Sequence, residues 1–179
     1  MVFSSVTFIY VFLPVVLLLY YAAPKKLKNL LILLSGIVFY AWGEPVYVML
    51  MMFTTLVDYT AGRLIHKFDE KKRARLAVMV TAVAINLFLL SVFKYSSFVV
   101  SNINALLGTN LIDPQLPLPI GISFYTFQSM SYTLDVYMRK VKVQRNFINY
   151  AAYVTLFPQI VAGPIVRYGQ IKDALAVRR

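Results

Sequence analysis

The sequence predicts an all-α, polytopic integral membrane protein of about five helical spans, with interfacial and re-entrant or broken helices besides. Three observations carry this. Hydrophobic residues make up 60% of the 179, mean hydropathy is +0.70, and apolar runs of spanning length alternate with short basic turns. Residues 1–179 read as a single transmembrane helical region, because the longest polar linker, 66–75, is too short to fold as a soluble domain. No fixed-period repeat or low-complexity tract is visible.

Residues 2–23 hold no charge and as a helix extend about 33 Å, enough for a hydrocarbon core about 30 Å thick. A signal peptide is the rival reading of this run, with Ala22 and Ala23 imitating a cleavage site. No basic residue precedes it and it exceeds the usual apolar length, so a retained first helix is expected. Residues 29–42 follow, with Lys28 placed to snorkel at one end. Gly43, Glu44 and Pro45 break the chain, and 46–61 carries Asp58 within it. Residues 76–93 cross with Asn86 inside, whereas 95–107 look too short and read as interfacial. Residues 117–136 cross again. Residues 147–166 are long enough but carry Pro158, Gly163 and Pro164, which bend or break a helix.

A net charge of +11 raises nucleic acid as a partner, and its placement argues against it. Lysines and arginines cluster at 25–28, 63–75, 139–145 and 167–179, and only Lys94 lies outside these groups. The turns at 43–45 and 108–119 have none. This alternation is the positive-inside pattern. It predicts a multi-pass protein of the cell membrane with Met1 on the extracytoplasmic side. A full span at 147–166 would export Arg167 and the tail, so that stretch is expected to dip in and return; an ordinary Pro-kinked span is the alternative. With no cysteine, and no His/Cys/Asp/Glu cluster at ligand spacing, no metal site is expected.

Two strings are the most informative, LPLPIGISFYTFQSMSYTLD at 116–135 and FPQIVAGPIVR at 157–167. Polar or helix-breaking groups at membrane depth are tolerated where they face protein or a water-filled cavity. Phe124, Gln128, Ser131 and Asp135 step along one helix face. Gln128, Ser131 and Asp135, with Gln159 and Arg167, are therefore candidates for the wall of an internal passage; the alternative is that they only fix helix packing. Gly121 is expected to allow close helix approach. Asp58 reads as a structural ion pair with Arg63 or another helix's cation, and Asp135 as a partner of Arg139. Arg167 suits either a cofactor phosphate or an interfacial anchor. His66, the one histidine, sits among Arg63, Lys67 and Lys71 and reads as non-catalytic.

PIGISFYTFQSMSYTLDVY at 119–137 and NYAAYVTLFPQIVAGPIVR at 149–167 closely resemble the membrane-bound O-acyltransferase family, nearest to its alginate O-acetyltransferase branch. The opening MVFSSVTFIYVFLPVV, FYAWGEP, TLVDYTAGRLI and FKYSSF add weaker similarity. The resemblance implies the amino-terminal portion of a many-helix enzyme that moves an acyl group, acetyl in that branch, from a cytoplasmic acetyl-CoA-like thioester onto hydroxyls of an exported polysaccharide. It implies no tightly bound cofactor, a catalytic histidine downstream of Arg179 and so none in this chain, and a fragment inactive alone. Lipid, the polysaccharide acceptor and other polysaccharide-modification or export proteins are the expected partners. The ending DALAVRR has no obvious cap or tail signature and is expected to be a truncation. Broken helices with buried polar groups also occur in transporters and channels, and a non-catalytic assembly subunit is the third reading.

Overall fold

A computed structural model of the protein describes residues 5–160 and 166–176. Gly163 and Pro164 lie outside the described residues, and Pro158 within them. A π-helical segment, Phe8–Phe12, runs into α1 (Leu13–Ala22), followed by α2 (Lys28–Gly43), α3 (Tyr47–Lys67), α4 (Lys72–Leu107), α5 (Ile122–Tyr137), α6 (Phe147–Val154), α7 (Phe157–Ile160) and α8 (Tyr168–Ala176). No strand occurs among the described residues.

Local chemistry sets the ends. Ala23, before Pro24, is extended and closes α1. Glu44, before Pro45, closes α2. Gly108 takes the left-handed conformation (φ 62°) that ends α4, and Gly121 does so (φ 73°) before α5. Asn146 caps α6, its Oδ1 accepting the Ile148 N–H at 2.9 Å.

Helices α3, α4 and α5 pack against one another, while α6 lies between them and α2, with α1 outside α2 and α8 beside α6. Residues Tyr150 to Val154 of α6 are fully buried, as befits a helix with no polar face. Phe39 of α2, Phe12 and Phe157 of α7 bring their rings together, Phe157 lying 5.6 Å from each of the other two.

Helices α3 and α4 are long and apolar enough to cross a membrane. Most of α4 is exposed within the fold, and so is a long series of large apolar side chains elsewhere. A soluble monomer does not leave that much apolar surface in water; this is a membrane protein. Hydropathy alone suggested about five spans, but Phe8–Ala22, α2 and α5, the last two of 16 residues each, are shorter than a bilayer core at 1.5 Å per residue. The interfacial helix expected at 95–107 is not a separate element. It continues α4, one helix of 36 residues, because Lys94 favours helix as strongly as its neighbours and does not interrupt it. The interruption expected in 147–166 does occur, with α6 ending at Val154 and α7 starting at Phe157.

Asp58 joins three helices. Its carboxylate accepts from Thr133 Oγ1 of α5 at 2.6 Å and from Asn86 Nδ2 of α4 at 2.9 Å. It has no cationic partner among the described residues, and Arg63 instead donates to the Arg145 carbonyl at 3.1 Å. The expected ion pair is thus replaced by neutral donors, because Asp58 faces α4 and α5 while Arg63 lies on the exposed side of α3. Close approach of α2 and α6 depends on Gly36, where a Cβ would land on the Thr155 carbonyl.

Asp58→Ala leaves the Thr133 hydroxyl and one of the two Asn86 amide hydrogens buried without an acceptor, the other still bonding the Ala82 carbonyl, a loss of about 1–3 kcal/mol. Asp58→Asn costs less, since the amide keeps an oxygen that accepts from the Thr133 hydroxyl. Thermal unfolding in detergent checks this order; equal losses would contradict it. In the same assay Gly36→Ala destabilises by about 1–3 kcal/mol, because the obstructing oxygen is backbone and cannot swing aside. Ser35→Ala, whose hydroxyl bonds only the Ile32 carbonyl of its own helix, is near neutral.

Candidate functional site

Three of the four basic clusters converge at one end of the bundle. The end of α3, the α3–α4 turn, the start of α4, the segment after α5 and α8 together line a cleft of about 620 Å³. Its walls carry Arg75, Arg139, Lys140, Lys142, Arg145, Lys172 and His66, with Asp69 as the sole acid. Asp69 Oδ1 accepts from Arg139 Nη2 at 3.0 Å and forms an ion pair with Arg75 Nη1 at 3.3 Å. Arg75 is buried, donates to the Tyr137 carbonyl at 2.7 Å and lies over the Tyr137 ring. Lys140, Lys142, Arg145 and Lys172 have no acidic partner among the described residues. So many cations with one acid between them give a concave region of positive potential, which draws in an anion.

The pairing of Arg139 with Asp69 corrects the expected pair with Asp135. Arg139 adopts a left-handed backbone (φ 59°) just past α5, and this turns its side chain away from the helix face that holds Asp135. Asp135 is itself largely buried within the fold and makes no ion pair with Arg139.

Beneath the cleft sits a tyrosine cluster. The rings of Tyr132 and Tyr150 are 4.5 Å apart, those of Tyr132 and Tyr168 5.0 Å, and those of Tyr153 and Tyr168 5.3 Å. Gln144 ties the cleft segment to this floor. Its backbone N–H donates to the Tyr132 hydroxyl at 3.0 Å and its Nε2 to the Tyr168 hydroxyl at 2.7 Å. Neither Gln144 nor these tyrosines stood out in the sequence, where aromatics read as belt and packing. The spacing of Tyr150 and Tyr153, three apart on one helix face, was the available signal.

Gln128 lies two turns further along α5, about 12 Å from Val136 at the cleft. Its Nε2 donates to the Tyr153 carbonyl at 2.9 Å and to Gln159 Oε1 at 2.8 Å. The structure thereby brings Gln128 and Gln159 together. Both amide hydrogens of Gln128 are used within the protein. Ser131 donates to the Gln128 carbonyl of its own helix at 2.7 Å. Phe124 and Phe127, at 39% and 40% exposed, point outward, so Phe124 does not share the Gln128 face as the stepwise spacing suggested. Gly121 lies where a Cβ would meet the Ile160 carbonyl, so α5 begins against α7. Arg167 is exposed and outside the cleft lining, its backbone N–H donating to Gln170 Oε1 at 3.2 Å.

No family model matches the chain, and no solved structure matches it. Named relatives do. The chain is 38% identical to the probable alginate O-acetylase AlgI of Pseudomonas aeruginosa, over 97% of this chain and 34% of that protein. The Azotobacter vinelandii protein of the same name is 37% identical over 97% of this chain and 36% of its own length. The chain is thus similar to a part of the alginate O-acetylases. A peptidoglycan O-acetyltransferase of Helicobacter pylori is 29% identical, over 96% of this chain and 38% of that protein. The O-acyltransferase resemblance read from the motifs therefore holds, and the chain spans about a third of the length of the curated relatives it matches.

Gln128→Leu removes two buried hydrogen bonds and leaves the Tyr153 carbonyl and Gln159 Oε1 without their donor. Unfolding in detergent then shows a loss of about 1–3 kcal/mol. A wild-type transition would mean that Gln128 does not hold the broken helix.

Proposed function

We propose that the chain is the amino-terminal part of a membrane-bound O-acyltransferase that moves an acetyl group from a cytoplasmic thioester donor to hydroxyls of an exported polysaccharide. The observation that carries the reading is the basic cleft in a homologue of O-acetylases. A thioester donor of the acetyl-CoA kind is rich in phosphate, and guanidinium and ammonium groups suit such oxygens. Arg139, Lys140, Lys142, Arg145 and Lys172 receive those phosphates. The acyl arm then runs toward the buried face of α5, where Ser131, Asp135, Gln128 and Gln159 form part of the passage wall.

In the whole protein, a histidine downstream of Arg179 takes the proton of the acceptor hydroxyl. That oxygen bonds the acyl carbonyl carbon, the carbon–sulfur bond breaks, and the leaving thiolate takes up the proton. This chain supplies the donor's mouth and is inactive alone. The positive-inside pattern supports placing the cleft on the cytoplasmic side and the amino terminus outside. With the shorter helices completing their crossings, about five spans result. Arg167, outside the cleft, serves as an interfacial anchor.

Steady-state acetyl transfer by the full-length enzyme, at varied donor concentration, tests this. Lys140→Ala combined with Lys142→Ala raises the donor KM about tenfold and leaves kcat near wild type, the signature of lost uniform binding. Arg167→Ala leaves the donor KM unchanged. An unchanged KM in the double variant would take the cleft out of donor binding.

A further inference from the structure

A second concave feature, with a different lining, lies between the first two helices. Helices α1 and α2 diverge to leave a groove of about 470 Å³. Phe12, Val16 and Leu19 form one wall, and Leu27, Leu31 and Val38 the other. Ser35 is the one polar side chain in it, and its hydroxyl is already committed to the Ile32 carbonyl at 2.9 Å. The groove therefore has nothing to offer a polar ligand.

Its ends differ. At the end marked by Ala23 and Leu27 the chain carries Lys25, Lys26 and Lys28. Lys25 and Lys26 are exposed. Lys28 Nζ sits 4.8 Å from the Tyr20 ring centroid. None of the three has an acidic partner among the described residues. The length is also informative. Eleven residues of α2 separate Leu27 from Val38, about 16 Å of helix, which matches half of a hydrocarbon core about 30 Å thick. A groove of that length suits the acyl chain of a single leaflet, with the lysines at its end.

We infer that the α1–α2 groove is a binding site for an anionic phospholipid, with one acyl chain along the groove and the phosphate held by Lys25, Lys26 and Lys28. An apolar slot of leaflet depth accepts an acyl chain, and three uncompensated lysines at its mouth select the headgroup charge. A protein segment covering the groove would bury the apolar walls but leave the lysines uncompensated unless it also brought acids to them.

The full-length protein, purified from bilayers containing both phosphatidylglycerol and phosphatidylcholine, is examined by native mass spectrometry for retained lipid. The expected result is about tenfold preferential retention of phosphatidylglycerol. That preference is lost in the Lys25→Gln/Lys26→Gln variant, whose changes lie on the surface, and in the Lys25→Gln/Lys26→Gln/Lys28→Gln variant, whose unfolding transition in detergent matches wild type. Leu31→Trp, which fills the groove, loses retention of both lipids. Equal retention of the two lipids by the wild type, or undiminished phosphatidylglycerol in all three variants, would overturn the site. So would cross-linking of Leu31→Cys to a segment beyond residue 179, which would assign the groove to the protein's own chain.

Discussion

At the centre of this molecule a helix stops where water cannot reach its end. The α-helical ladder of α6 lapses after Val154 and resumes at Phe157, and Pro158 has no N–H to contribute. Each carbonyl released there needs a donor, because an unpaired backbone group in a dry interior costs as much as a lost hydrogen bond. Gln128 gives one N–H to the Tyr153 carbonyl and the other to Gln159. Thr155 donates its hydroxyl to the Ala151 carbonyl, and Tyr153 donates its own to Val166. Much follows from the first of these. With Gln128 turned inward, Ser129, Tyr132, Thr133 and Asp135 are buried with it, and Phe124 and Phe127 are left facing outward. The rotation of α5 that repairs the broken helix also brings Thr133 to Asp58.

What could be read from the sequence was local. Apolar runs, the break at Gly43, Glu44 and Pro45, and the interruption near Pro158 are consequences of residues acting on their own backbone. Partners across the fold were not legible. Asp58 meets side chains 28 and 75 positions away, and Arg139 meets Asp69 at a separation of 70; helical spacing favours neighbours four residues apart. The face of α5 was misread at Phe124 for a further reason. In lipid an apolar side chain gains little by turning inward, so a polar stripe marks the protein side and aromatics can occupy the other. Lys94 was read as a boundary because it is charged, yet its amine lies 5.5 Å from the Tyr95 ring centroid and the helix continues.

The candidate site was hidden by a reading that was itself productive. Positive charge between apolar runs signals orientation, and each cluster seemed accounted for by that role. The fold adds a second role by bringing His66 and Arg75, the 139–145 segment and Lys172 around one cleft. The cluster at 25–28 stays apart, at the mouth of the α1–α2 groove. Charges that report topology one at a time acquire chemistry only when a fold gathers them, and sequence spacing does not carry that information.

Asp69 shows how the gathered charge is arranged. A cleft with this many cations repels itself, and a single carboxylate relieves that by holding Arg75 and Arg139 on the same oxygen. The cost is visible in the backbone. Arg139 sits in the left-handed region, which disfavours a side chain by about 1–2 kcal/mol. Glycine would end α5 there without that penalty, through the same bonds from the residue 139 N–H to the Val136 carbonyl and from the Lys140 N–H to the Asp135 carbonyl. Arg139 also borders a neighbouring hollow of about 540 Å³, which Asp69 and Arg75 line as well. A strained arginine in place of a relaxed glycine thus keeps a guanidinium paired with Asp69 at the border of both hollows, beside Lys140, Lys142, Arg145 and Lys172, where a bound anion would be held.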